Sequence, residues 1–478
     1  MVFYFLRRRL YPYMDMHYCL CLFLCFAPIF QAMDHSKFTS CSTSSFCRKL
    51  PPQNWTADNF TRTSFDISLD DSRFKVELSE LEGGMIKIKA NNDNNDFMID
   101  YFPKTSQSEE LVLIQPEESD QVQYFGANFI RVFKYPFKVI INDFEISDIV
   151  IAQSIKARFK FPKDSVMLGI PEHADSLVLR DTKATEPYRL YNLDVFEYEL
   201  YSPMALYGSV PLLVSHKLGC TIGVFWNNPS DTWVDIDNQS VEFTSEVGTM
   251  EMYVLFGTNI DEINFKWKTL TGAPVMPPLF SLGYHQCRWN YNDQVDVLQV
   301  DAQFDLEAIP YDTLWLDIEH THDKRYFTWH PDKFPQPHSI IEQLRHKNRK
   351  LVIIIDPHIK LDEGYAIYKE AVSNDLAVRD KQGGTFEGEC WPGKSVWVDF
   401  LNPKARAWWQ SKILSYQKKH GEVHIWNDMN EPSVFDSPEI TFPKSNLHQY
   451  SNSQDSKQVS HSKVSFLFNF RFITYTEH

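Results

Sequence analysis

Three apolar runs in the C-terminal half of the chain stop abruptly in acids: "DTLWLDIEH" (312–320), "LVIIIDPH" (351–358) and "VHIWND" (423–428). Helical stretches separate them. One runs from Asn292 and is expected to turn Val295, Leu298 and Ala302 to one face. The next is announced by Ser339 and Glu342, spaced as a capping box. A third takes Asn402 as cap and Pro403 in its first turn, carries Trp408, Trp409, Ile413 and Tyr416, and stops near Gly421. Apolar strands alternating with helices imply a parallel sheet covered on both faces. Carboxylates gathered where such strands end point to the mouth of a (β/α)8 barrel. A doubly wound sheet shares this pattern, but no glycine-rich phosphate loop supports it.

The preceding two hundred residues follow a different grammar. "MIKIKA", "LVLIQ", "KVIIND", "TIGVFW" and "VEFTS" are short, β-branched or aromatic, and bounded by turn residues. Over 72–270 they predict an antiparallel β-sandwich. A proline-rich link, "TGAPVMPPLF" (271–280), leads into the barrel segment, set at 274–437, whose first strand ends in "FSLGYH". The fold class expected is therefore α/β plus all-β: a sandwich followed by the first half of a (β/α)8 barrel. Only four βα-type strands are legible, and a barrel takes about 250 residues. The tail, 451–478, is serine-rich and then apolar ("VSFLFNFRFITY"), matches no further unit, and is expected to be unrelated. On this reading the chain is an incomplete catalytic unit, a truncated gene product or splice form.

Composition narrows the ligand. The 478 residues carry a formal charge of −16 with acids and bases interspersed, which argues against a nucleic-acid partner. Aromatic residues make up 15%, suited to stacking on the C–H faces of neutral, hydroxyl-rich molecules. At the N-terminus, Arg7, Arg8 and Arg9 precede an apolar stretch (18–30) and then Gln31 and Ala32, the form of a signal peptide and leader over 1–33. That stretch is too short to span a bilayer, so no membrane span is expected in the mature chain. Asp15 leaves Met14 or Met16 as alternative starts. Cys19, Cys21 and Cys25 would leave with the leader. Cys41 and Cys47, within an N-terminal segment set at 34–71, suit a small disulfide loop in an oxidising compartment. Asn54, Asn59 and Asn238 begin N-x-S/T triplets, compatible with export to the endoplasmic reticulum or beyond.

Paired carboxylates beside tryptophans at a barrel mouth suit glycoside hydrolysis, in which one acts as nucleophile or base and another as acid. Asp428, immediately beyond its strand, is the candidate nucleophile. Asp317 reaches the same mouth and can bind substrate hydroxyls. Glu431 is a second acid or orients its neighbours. Trp289, Trp391 and Trp426 are candidate walls. Taken singly, an aspartate after a strand is usually a cap and a tryptophan usually core, as Trp408 and Trp409 are expected to be. The coincidence of three acidic strand ends with nearby indoles carries the argument.

"GYHQCRWNYND", "LWLDIEHTHDKRYFTWHPDKFPQP", "VIIIDPHIK", "IWNDMNEPSVF" and "PYRLYNLDVFEYELYSPMALYGSVPLL" resemble family 31 of the glycoside hydrolases over roughly residues 35–450. The resemblance implies a retaining α-glucosidase with Asp428 as nucleophile and no metal or organic cofactor. It implies Trp289, Asp317, Ile318, Ile354, Trp391, Trp426 and Met429 in the glucose pocket. Asp194 and Phe196 would reach over from the sandwich to the adjoining sugar. For the glucosidase II branch of the family it implies glucosylated N-glycans as substrate and a glucosidase II β-subunit as partner. An alternative is a non-catalytic glycan- or subunit-binding module. The family's acid/base aspartate and its pocket arginine and histidine have no counterpart in this chain. Purified alone, the chain is therefore expected not to hydrolyse an aryl α-glucoside.

Overall fold

The computed structural model describes residues 33–91, 112–114, 120–152, 154–451 and 456–464. The leader cysteines and the apolar end of the tail lie outside the described residues. Two antiparallel sheets build the N-terminal half. One has eight strands and runs from Thr56–Asp58 at one edge, through Met85–Asn91 and Met250–Gly257, to Val166–Gly169 at the other. The second has nine and runs from Tyr188–Leu190 to Val112–Ile114. Alternation decides which faces meet: in Phe129–Phe133 the buried residues are Ile130 and Val132, and in Lys138–Ile141 they are Val139 and Ile141. These side chains join Phe65, Phe144, Phe159, Trp226 and Phe243 in one core between the sheets.

The sandwich begins earlier than Ser72. Thr56–Asp58 pairs with Ser64–Leu69, which pairs in turn with Ser72–Leu81, so the segment expected to stand apart supplies two strands at the sheet edge. Just before it, Cys41 and Cys47 form a disulfide with Cα atoms 5.2 Å apart. A helix, Ile260–Thr271, closes this half. Asn259 caps it by accepting from the Glu262 amide, and Ile263 and Leu270 bury against Leu255 and Phe225.

Four parallel strands follow in the order His285–Gln286, Thr313–Leu316, Lys350–Ile354 and His424–Trp426. Helices Gln294–Leu306, Pro337–His346 and Pro403–His420 lie between them in sequence. The last has Asn402 as its cap and ends at Gly421, with Trp409, Ile413 and Tyr416 buried. The other two differ from the expectation. In Gln294–Leu306 the buried residues are Val297 and Asp301, while Val295 is exposed. Asp301 is drawn inward by Lys347, Arg349 and Tyr311, so an ion-pair cluster, invisible to hydropathy, sets the helix rotation. In Pro337–His346 the capping box does not form, because Gln336 is the cap residue and Ser339 already lies inside the helix. Glu342 pairs instead with Arg345.

A three-stranded antiparallel sheet interrupts the alternation: His358–Lys360, Glu387–Cys390 and Gly393–Trp397. Its hairpin turns at Trp391-Pro392, where Gly393 at φ 90° takes a conformation costly for other residues. A second hairpin, Leu447–Ser451 with Ser456–Ser460, packs Val459 against Leu401. No helix among the described residues is long and apolar enough to cross a membrane.

Candidate active site

The parallel strands deliver their following residues to one end of the sheet: acids after the second, third and fourth strands, and Trp289 after the first. After Thr313–Leu316, Asp317 accepts from the Ile318 amide at 2.7 Å and starts a short 3-10 turn that fixes its side chain. Burial and the Asp428 charge push the Asp317 carboxyl up. After His424–Trp426 the chain turns sharply: Met429 sits at φ 63°, rare for a residue with a side chain, and is itself buried. Asn430 locks this turn by donating to the Asp428 carbonyl at 2.6 Å. Asp428 is left half-buried at the turn, its carboxyl raised by desolvation against a lowering amide bond from Met429.

Asp356, the third strand-end acid, is different. It is fully buried, bonded to the Tyr326 hydroxyl, and 3.7 Å from His358. Burial drives the Asp356 carboxyl far up and the His358 imidazole down to about 3, so the imidazole is neutral at physiological pH. Asp356 is a structural acid beneath the mouth and not part of its surface. Glu431 is half-buried with Oε2 unpartnered. Desolvation, then Asp194 and Asp428, raise its carboxyl to about 8. At neutral pH it holds a proton.

The sandwich enters the site through the loop after Tyr188–Leu190. Asp194 is buried and accepts from the Ser433 hydroxyl at 2.6 Å. Phe196, 56% exposed, meets Phe435 with ring centroids 5.9 Å apart. Phe435 meets Trp391 edge-on at 4.9 Å, and Trp391 meets Trp289 at 5.5 Å. An aromatic wall thus runs from the sandwich loop to the first strand end, with Trp289 61% exposed at its outer edge. Trp426 packs separately against Trp315 at 5.4 Å. Ile318, Ile354 and Met429 are almost wholly buried in the core beneath.

Phe435 is the residue that sequence reasoning missed. It lies in the quoted motif, but its partner strands, the inserted hairpin around Trp391, had not been placed. The local signal for that hairpin is a short β-branched and aromatic run, "SVWV", just after a Pro-Gly turn. Phe435 is held by a 2.8 Å bond from its amide to the Glu389 carbonyl, and Glu389 donates its own amide to Asp436. Gly388 permits that contact, since a Cβ there would lie 2.7 Å from Val434.

Two further segments fix the loop after Asp428. Arg189, buried in the sandwich, bonds Asp231 at 2.8 Å and Glu439 at 2.6 Å, and Lys444 bridges Asp231 and Glu246, each at 2.8 Å. Among the described residues, no group of three or more histidine, cysteine or acidic side chains is placed to hold a metal ion.

Comparison with known proteins agrees with this geometry. The profile "Glycosyl hydrolases family 31 TIM-barrel domain" matches residues 274–475, reaching into the segment set apart as a tail. The profile "Glycosyl hydrolase 31 N-terminal galactose mutarotase-like domain" matches 53–235. Human neutral alpha-glucosidase AB is 47% identical over 321 residues, covering 62% of this chain and 34% of that protein. Glucosidase 2 subunit alpha of Schizosaccharomyces pombe is 44% identical over 314 residues, with the same coverage. The chain thus spans about a third of the length of these curated relatives. Among solved structures, an ER glucosidase II heterodimeric complex of catalytic subunit and the binding domain of the regulatory subunit superposes with a TM-score of 0.82 at 30% identity. It covers 92% of this chain and 59% of the other. With both of its domains matched in order, and the acids and indoles gathered at one sheet end, the chain belongs to glycoside hydrolase family 31.

Proposed function

We propose that this chain carries the nucleophile side of a retaining α-glucosidase site, on strands that are the first half of the barrel. Asp428 attacks the anomeric carbon of a terminal α-linked glucose, and the glycosidic oxygen departs with its bonding pair. A β-glucosyl ester on Asp428 results, which water then hydrolyses. Asp317 binds hydroxyls of the departing glucose. The transition state develops positive charge on the sugar ring, and carboxylates facing it favour that charge. Glu431, which holds a proton at neutral pH, limits the repulsion within the cluster and leaves Asp428 free to ionise. The aromatic wall of Phe196, Phe435, Trp391 and Trp289 serves the sugar adjoining the glucose.

The observation that carries this reading is the placement of Asp428, half-exposed on a turn held by Met429 and Asn430, beside Asp317. The resemblance to glucosidase II further supports glucosylated N-glycans as substrate, the endoplasmic reticulum as compartment and a regulatory β-subunit as partner. A second reading, a non-catalytic glycan- or subunit-binding module, is favoured by one fact. The cluster's protonated carboxyl, Glu431, follows Asp428 by only three residues at the same strand end, instead of approaching from a separate segment as the acid of a retaining pair.

The test separates nucleophile from acid. A 5-fluoro-α-glucosyl fluoride needs no protonation of its leaving group, so the nucleophile alone suffices to trap the glucosyl ester. Peptide mass spectrometry is expected to find the added fluoroglucosyl group on Asp428 and to lose it in Asp428→Asn. Absence of labelling, or labelling elsewhere, overturns the assignment. Labelling without turnover of an aryl α-glucoside locates the deficit in the missing acid.

A further inference from the structure

We infer that Asn54, Asn59 and Asn238 are N-glycosylation sites, and that the sugar chains they carry are confined to the β-sandwich. The three N-x-S/T triplets were compatible with export as sequence; the fold places all three where a bulky glycan is tolerated. Around the edge strand Thr56–Asp58, exposure alternates: Asn54, Thr56 and Asp58 face solvent while Trp55 and Ala57 are buried. Asn54 therefore lies on the outward series. Asn59 follows the strand at φ 51°, in the turn that leads to Ser64–Leu69, and is exposed. Asn238 occupies the two-residue turn between Thr232–Asp237 and Ser240–Ser245 at φ 50°, also exposed.

Existing bonds do not stand in the way. The Asn59 amide nitrogen donates to Asp66 at 3.0 Å, and the Asn238 nitrogen donates to Asp237 at 3.2 Å. A primary amide has two N–H donors and linkage consumes one, which leaves one N–H on each asparagine for such a contact. The chemistry needs a lipid-pyrophosphate-linked oligosaccharide as donor. The asparagine nitrogen bonds to C1 of the reducing-end N-acetylglucosamine, the C1–oxygen bond breaks with its pair leaving on the pyrophosphate, and the amide loses one proton. The distribution is informative as well. No N-x-S/T triplet with a permitted middle residue occurs between residues 274 and 478, so the acidic strand ends and the hairpins around them carry no glycan acceptor.

The inference rests on the lumenal placement proposed above, and the experiment reads the two separately. The full chain, expressed in secretory cells, has its free thiols alkylated before lysis and is then treated with peptide N-glycosidase, which converts each glycan-bearing asparagine to aspartate. Conversion is expected at residues 54, 59 and 238 of a chain whose Cys41 and Cys47 resist alkylation. Asn59→Gln, Thr56→Ala and Ser240→Ala are each expected to remove one step of gel mobility, the latter two while leaving the asparagine in place. Unconverted asparagines in disulfide-bonded chain overturn the inference and leave lumenal placement standing. Unconverted asparagines with alkylated Cys41 and Cys47 overturn both.

Discussion

Ser433 donates its hydroxyl to the Asp194 carboxylate at 2.6 Å, joining residues 239 positions apart on two different domains. Asp194 is buried, and desolvation raises its carboxyl while the Ser433 bond lowers it. Removing the donor leaves a buried acceptor without its partner, a loss of about 1–3 kcal/mol. Ser433→Ala is therefore expected to lower the unfolding free energy by that amount, read as a lower denaturant midpoint at unchanged slope. Hydrogen exchange should quicken in 191–198 and 428–436 and stay unchanged in the sandwich strand Met85–Asn91. Uniform acceleration over all three would show that the bond does not tie these loops together.

The buried Glu431 makes stability depend on pH. Its carboxyl titrates near 8 when folded because burial disfavours the charge. Between the ordinary glutamate range and about 8, the folded state therefore holds a proton that the unfolded state has released. Stability falls as pH rises through that window. Glu431→Gln, a neutral isostere, is expected to flatten the slope of unfolding free energy between pH 5 and 8, and to leave the variant more stable than the parent above pH 8. An unchanged slope would place the ionising group elsewhere.

At the domain junction, Arg189 is enclosed with Asp231, Glu439 and Lys444. Burial would raise the Asp231 carboxyl, but Arg189 and Lys444 hold it below the usual range. Deleting one partner of such a cluster strands the rest and costs about 3–5 kcal/mol. Arg189→Ala is expected to unfold at correspondingly lower denaturant or to accumulate poorly. Arg189→Lys should fall between, because an ammonium cannot serve both carboxylates with the paired N–H geometry of a guanidinium. An Arg189→Lys midpoint equal to the parent's would reduce the interaction to net charge.

How much of this was legible in the sequence follows from the range of the interactions. Trp315, Ile353 and Ile425 sit in short apolar runs, and the acids behind them follow from the period and polarity of adjacent residues, so three strand ends are legible with their acids. The helix Pro403–His420 was legible for the same reason, since its cap and stop are local. Asp301 turned its helix against the hydropathy pattern through contacts with Lys347 and Arg349, more than forty residues away. The aromatic wall depends on Phe196, Phe435, Trp391 and Trp289 meeting from four separate segments. No local period records that meeting, and the family resemblance supplied three of its members while leaving out Phe435.

Histidines deep in the catalytic half set its acid limit. His320 packs against Trp329 and His358 against Trp397, and both are buried. Desolvation lowers the first to about 4 and the second to about 3. His461 is likewise driven far down, by burial and then by His448, which it meets at 3.1 Å. A group with a depressed folded value is protonated first in the unfolded chain. Its stabilising effect is thus present above the ordinary histidine range and is lost as pH falls below about 6.5. Because several such groups act together, the denaturant midpoint is expected to drop steeply from pH 6.5 to 5. His358→Gln is expected to remove part of that slope, since its amide reaches the position of Nε2 and keeps the bond to Tyr326 without gaining a proton. Glu431 acts in the opposite sense over part of this range, so the Glu431→Gln background should make the acid slope steeper. A midpoint that does not move between pH 6.5 and 5 in that background would mean these imidazoles are reached by water in the folded chain.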